Sequence, residues 1–199
     1  VVFESGPFGA TYAHALGIRP HVDRANPILA LIGSPTELTK LQSDRLESQS
    51  GVDLITVDDP ASDVSQLLSR LRASAEIGKT VIGIRTTSRD GSAPDPLHAS
   101  QMLALIIDLA VECADSMQFD GIYASGGDVA FAVLDALGAR GYEVENEVVP
   151  LAVSGKLVGG PHDGLGFATK GGLVGDADAA VECINQLRSR IRQSEPRIV

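Results

Sequence analysis

Four short apolar runs constrain this chain more than any other feature. They are "NPILALIGS" (26–34), "GVDLITVD" (51–58), "KTVIGIRTT" (79–87) and "FDGIYAS" (119–125). All four read as strands, and the first and third are continuous enough to suggest strands buried on both faces. Segments of helical period lie between them. Val64, Leu67, Leu68 and Leu71 recur at helical spacing over 62–77. "LHASQMLALIIDLAVECADSM" (97–117) reads as the longest helix, and 127–137 as a shorter one. Repeated strand–helix units predict an α/β fold: a mostly parallel sheet flanked by helices.

Two further segments complete the pattern. After the first run, Ser34 is placed to cap a helix, Pro35 suits its first turn, and Glu37 completes a capping box. Leu38, Leu41 and Leu46 then mark the expected buried face. From Gly141 the period changes. "YEVENEVVPLAV", "GKLVGG" and "GFATKGG" predict an antiparallel, β-rich segment or sheet edge near the C-terminus. An amphipathic helix over 176–193 closes the chain. At the other end, 1–4 reads as a strand and "SGPFGATYAHALG" as a turn entering a short helix.

Composition narrows the function. With 199 residues, 44% of them apolar, the chain is long enough for one domain with a full core. A net charge of −10 argues against nucleic acid or an anionic membrane as partner. It leaves a nucleotide open, because one phosphate site needs only local amides and a cation or two. Trp is absent and aromatics are 4%, so an aromatic-lined groove is not expected. Cys113 and Cys183 sit in helical segments without metal-ligand spacing, and no metal site is predicted. No signal peptide and no apolar run of membrane-spanning length stand out, so the expected location is the cytoplasm. The chain opens on Val within "VVF", which suggests a preceding segment in a parent protein.

Parallel sheets bind ligands at the carboxyl ends of their strands. Three Gly/Ser turns fall there. In "IGSPTELTKLQ" Ser34 suits a helix cap or a phosphate oxygen. In "ASGGDVA" Gly126 and Gly127 let backbone amides approach a phosphate at a helix start, or form a simple turn with Asp128 as cap. In "GFATKGGLVGDADA" Lys170 precedes Gly171 and Gly172, which suits a phosphate or a solvated loop. A fourth feature, His162–Asp163 in "GGPHDG", suits a structural turn better than a catalytic pair. There is no GxxxxGK[ST], no GxGxxG and no GxSxG.

Together these motifs resemble the four-carbon acid sugar kinases, in their C-terminal nucleotide-binding domain. "SGPFGATYAHALG" is similar to a Gly-rich segment that enters that domain. "GSPTELTKLQ" is similar to its Gly-Ser…Thr…Gln motif, and "SGGDVA" to Thr-Gly-Gly-Asp-Thr-Ala. "GGPHDGLGFATKGGLVGDADA" resembles its Gly-rich end, Thr-Lys-Ser-Gly-Gly-Phe-Gly. The resemblance covers nearly all of 1–199, read as a single nucleotide-binding domain. It implies ATP with Mg2+ as cofactors and phosphorylation of threonate-, erythronate- or 3-oxo-tetronate-type acids at the terminal hydroxyl. Carried over by position, the ATP contacts are Ser34, Gly126, Gly127, Asp128, Val129, Gly171 and Gly172. The sequence departs from the pattern at Val129 and Ser125, each in place of Thr, and in "TKGGLVG", where Gly171 replaces Ser and Leu173 replaces Phe or else the loop is shifted by one residue.

The family's N-terminal sugar-acid domain, with its Asp-Asp-Leu-Thr-Gly-like segment, has no counterpart in these 199 residues. The resemblance therefore assigns no catalytic residue here, and it implies that the sugar acid binds only with that domain and that the chain alone is inactive. A homodimer is compatible with this reading. Two alternatives stand beside it. Val129 suggests a non-catalytic nucleotide-binding or assembly module that has lost kinase activity. A nicotinamide-dependent oxidoreductase would share the sheet, but the missing GxGxxG opposes it.

Overall fold

The computed structural model describes residues 26–87 and 95–194. The strand expected at 1–4, the turn and short helix after it, and most of the polar loop after Thr87 lie outside these residues. The described elements run in the order β1 (Ile28–Ile32), α1 (Glu37–Glu47), β2 (Val52–Val57), α2 (Val64–Glu76), β3 (Val81–Thr86), α3 (Pro96–Ser116), β4 (Gly121–Ser125), α4 (Gly127–Ala136), β5 (Gly141–Val149), β6 (Ala152–Val158), β7 (Gly166–Lys170) and α5 (Ala179–Ser194).

The strands form one seven-stranded sheet in the order β2-β3-β1-β4-β7-β6-β5. All pairs from β2 to β7 are parallel. β5 pairs antiparallel with β6, and β6 with β7. The apolar runs behave as their composition dictates. All five residues of β1 are buried, as are all five of β4. Removing each large aliphatic side chain from water contributes roughly 1.5–3 kcal/mol.

The sheet splits the core in two. One layer packs Leu29, Leu31, Ile82 and Ile122 against α2, α3 and α4. The other packs Ile28, Ala30, Ile32 and Tyr123 against Leu46 of α1 and Cys183, Ile184 and Leu187 of α5. The chain leaves β1 toward the α1/α5 face and β4 toward the α3/α4 face. The loops after these neighbouring strands therefore diverge, which opens a crevice at their carboxyl ends.

Three expectations need correction. The helix after β1 is capped by Thr36, not Ser34. Thr36 is extended and its hydroxyl accepts from the Thr39 amide, so the helix starts at Glu37 and the Ser34–Glu37 capping box and the first-turn role of Pro35 are lost. Its buried face is also polar: Thr39, Gln42, Ser43 and Leu46 are inside, whereas Leu41 is exposed. Finally, the 21-residue α3 is long and apolar enough, by those measures, to cross a membrane. Its Met102, Leu105, Ile106, Leu109, Ala110 and Cys113 instead form a core face against the sheet, α2 and α4.

The β-rich segment is an antiparallel β5–β6–β7 meander at the sheet edge, as expected, and its last strand also joins the parallel part of the sheet. β7 lies parallel to β4, with Ser125 opposite Lys170. That placement carries the "TKGG" turn to the same edge of the sheet as the turns after β1 and β4.

Candidate nucleotide site

Three adjacent parallel strands, β1, β4 and β7, end level with one another. Ile32 pairs with Ser125, and Ser125 with Lys170. The turns beyond them are tied by backbone bonds, from the Gly33 amide to the Ser125 carbonyl at 3.1 Å and from the Gly126 amide to the Lys170 carbonyl at 3.0 Å. Ser34, Gly126, Gly127, Asp128, Val129, Gly171 and Gly172 all line one cleft of about 990 Å³.

Close approach explains the glycines. A Cβ on Gly172 would lie 2.1 Å from the Ser34 hydroxyl, so the first and third turns meet there. A Cβ on Gly33 would lie 2.4 Å from Val129 Cγ2, which locks the first turn against the second. Gly126 has φ of 113°, a conformation an L side chain rarely adopts, and it serves as the N-cap of α4 without any side-chain cap. The first amides of α4 therefore face the cleft with the positive end of the helix dipole behind them. Nothing lies within 4 Å of a Cβ built on Gly127, so that stretch of cleft is open.

The predicted residues play different parts. Ser34 is half-buried beside Gly172, and its hydroxyl lies 3.5 Å from that of Thr36. Asp128 is exposed in the first turn of α4 and does not cap it. Val129 is 4% exposed and packs on Gly33, in the same core cluster as Ile106. Lys170 is neither solvated nor in the cleft. It is 2% exposed, on the α1/α5 side of the sheet, and its Nζ donates to the Gly171 carbonyl at 3.1 Å. Burial pushes its pKa below the usual lysine value, with Cys183 acting weakly against that shift. His162 and Asp163 lie in the turn between β6 and β7, at the opposite edge of the sheet, where Asp163 accepts from the Gly159 amide.

Further residues of the "GSPTELTKLQ" motif, beyond Ser34, shape the site. Thr36 and Thr39 both donate to the Gly172 carbonyl, each at 2.9 Å. Gln42 donates to the carbonyls of Val174 at 2.9 Å and Asp176 at 2.6 Å. Their signal is the Thr/Thr/Gln spacing in "TELTKLQ", which is helical but polar. Away from the glycines, Ala99, Met102, Leu103 and Ile106 of α3 give the cleft an apolar wall, with Thr86, Thr87 and His98 above it. In the sequence that stripe cannot be told from an ordinary core face. Among the described residues, no group of three His, Cys, Asp or Glu side chains is placed to hold a metal ion.

A crevice at parallel strand ends, walled by glycine turns, an uncapped helix start and an apolar helix face, defines a phosphate-ligand domain of the doubly wound α/β class. The comparisons give the particular family. Residues 29–180 match the family described as the nucleotide-binding C-terminal domain, and the chain belongs to it. A D-erythronate kinase from Heliobacterium modesticaldum is 35% identical over 217 aligned positions, covering 96% of this chain and 48% of that protein. A D-threonate kinase from Salmonella typhimurium is 27% identical, covering 75% of this chain and 40% of that protein. The chain thus spans less than half the length of either kinase. A crystal structure from Bordetella bronchiseptica, a domain-swapped dimer with bound citrate, superposes with a TM-score of 0.71 at 26% identity over 82% of this chain and 41% of that one.

Proposed function

We propose that this chain binds ATP in the cleft and forms the nucleotide half of a kinase acting on four-carbon sugar acids at the terminal hydroxyl. The observation that carries this is the meeting of three glycine turns at the ends of β1, β4 and β7. In this reading Ser34, Gly126, Gly127, Asp128, Val129, Gly171 and Gly172 surround the phosphates, and the apolar face of α3 takes the nucleoside. Mg2+ arrives with the phosphates and offsets their charge. The residues present suit a nucleotide phosphate, because no side chain fills the space at Gly127 where it would approach.

The named relatives are erythronate and threonate kinases, which supports a sugar acid as the acceptor. The group that activates its hydroxyl is expected on a separate sugar-acid domain. The burial of Val129 against Gly33 gives that residue a packing role, so its missing hydroxyl does not by itself favour a non-catalytic module. Calorimetry on the chain tests the reading: Mg-ATP should bind, and no turnover of erythronate or threonate should occur until a sugar-acid domain is supplied. Absence of ATP binding at millimolar ligand would refute the proposal.

A further inference from the structure

Lys170 is a buried ammonium with an unusual set of neighbours. Among the described residues, no carboxylate pairs with it. Its one hydrogen bond goes to the Gly171 carbonyl. Ser125, opposite it on β4, and Tyr123, two residues earlier on the same face, bury hydroxyls that lie near one another but complete no hydrogen bond within the protein. A buried cation without a counter-ion is costly, by several kcal/mol as a rule. An apolar side chain of similar length would serve the core better.

The peptide that Lys170 holds faces the cleft. No peptide bond among the described residues is cis, so the Gly172 amide points opposite to the Gly171 carbonyl. With that carbonyl fixed inward by Lys170 and by the Val174 amide, the Gly172 N–H turns outward, where Gly172 lines the cleft. The next peptide repeats the device. Its Gly172 carbonyl is held by Thr36 and Thr39, which orients the Leu173 amide.

We infer that Lys170 is a positioning residue: from behind the loop it aims the Gly172 amide at the ligand's terminal phosphates, which are the anion its own buried charge lacks. This rests on the nucleotide reading above. The phosphate lies on one side of the Gly171–Gly172 peptide and the ammonium on the other. The peptide dipole between them is aligned with both, carbonyl toward the cation and N–H toward the anion.

The test compares adenosine, AMP, ADP and Mg-ATP on wild type and on Lys170→Met by calorimetry. Lys170→Met should bind adenosine and AMP within about twofold of wild type and lose roughly tenfold for ATP, the worth of about one well-oriented hydrogen bond. Its urea midpoint should equal or exceed that of wild type, because the uncompensated charge is gone. Lys170→Gln keeps a donor and should recover part of the ATP preference. Unchanged ATP affinity in Lys170→Met, or an equal loss for all four ligands, overturns the assignment. A readout on the wild type is independent of any variant's folding. The Gly172 amide proton should shift with ADP and ATP and stay still with adenosine, and a Gly172 signal indifferent to phosphate count also overturns it. A wild type that binds adenosine but not ATP overturns this inference while leaving a nucleoside site. One that binds none of the four removes the functional reading as well.

Discussion

Packing of Gly33 against Val129 joins the first two turns of the cleft, and a double-mutant cycle measures it. A methyl added at Gly33 would sit 2.4 Å from Val129 Cγ2 and 2.9 Å from Ile106 Cδ1. The Ile106 atom ends a flexible side chain and can move. Val129 is β-branched, in the first turn of a helix, and stiff at χ1. Gly33→Ala should therefore cost roughly 1–3 kcal/mol through overpacking. Val129→Ala removes two buried methyls, about 1.6 kcal/mol of transfer energy plus a cavity term. In the double variant the methyl introduced by Gly33→Ala occupies the space that Cγ2 left. The pair should then be less damaging than the sum by about 1–2 kcal/mol. Urea unfolding followed by circular dichroism reads this as midpoint shifts at constant slope. Additivity within about 0.5 kcal/mol would show that the two turns are not in contact as described, and would undo the packing role given to Val129.

Other outcomes follow from single residues. Leu151 has φ of 67° in the turn between β5 and β6 and is 77% exposed, so Leu151→Gly should raise stability by about 0.5–1 kcal/mol, a rise of a few degrees in melting temperature; no change or a fall would contradict the strain. Burial pushes the Cys113 thiol up to about 12 and the Cys183 thiol up to about 11, so neither should react with a thiol reagent near neutral pH until the protein unfolds, and rapid native labelling would contradict their burial. The Asp44 carboxyl is held below its ordinary 3.8 by Lys40 first and then Arg85. Its folded pKa is depressed, so its contribution is complete above pH ~4 and is lost as the pH falls through the folded value. Since Asp44 is 43% exposed the effect should be small, and Asp44→Asn should flatten stability between neutral and acidic pH only slightly; a large acid-stable gain would refute the pairing.

Much of the architecture was legible because apolar continuity is a local signal. The four runs became β1 to β4, and the glycine turns at their ends could be placed on one sheet edge by rule. What was not legible depended on partners distant in the chain. β7 looks like an edge piece until its pairing with β4 is known. Leu38, Leu41 and Leu46 suggest the buried face of α1, but Leu41 is exposed and Leu46 shares the actual face with Thr39 and Gln42, because backbone carbonyls more than 130 residues away need donors. Lys170 beside a glycine loop suggested a phosphate contact. Its position on β7 put it on the opposite face of the sheet, which no local pattern encodes.

The polar face of α1 has a consequence for how such a site diversifies. Thr36, Thr39 and Gln42 grip main-chain oxygens, so they fix the course of the 172–176 loop without reading its side chains. Leu173, exposed at the cleft, is thereby free to be exchanged at little cost to the loop's path. The scaffold tolerates drift at an exposed position of the cleft wall, and a change there need not be accompanied by repair elsewhere.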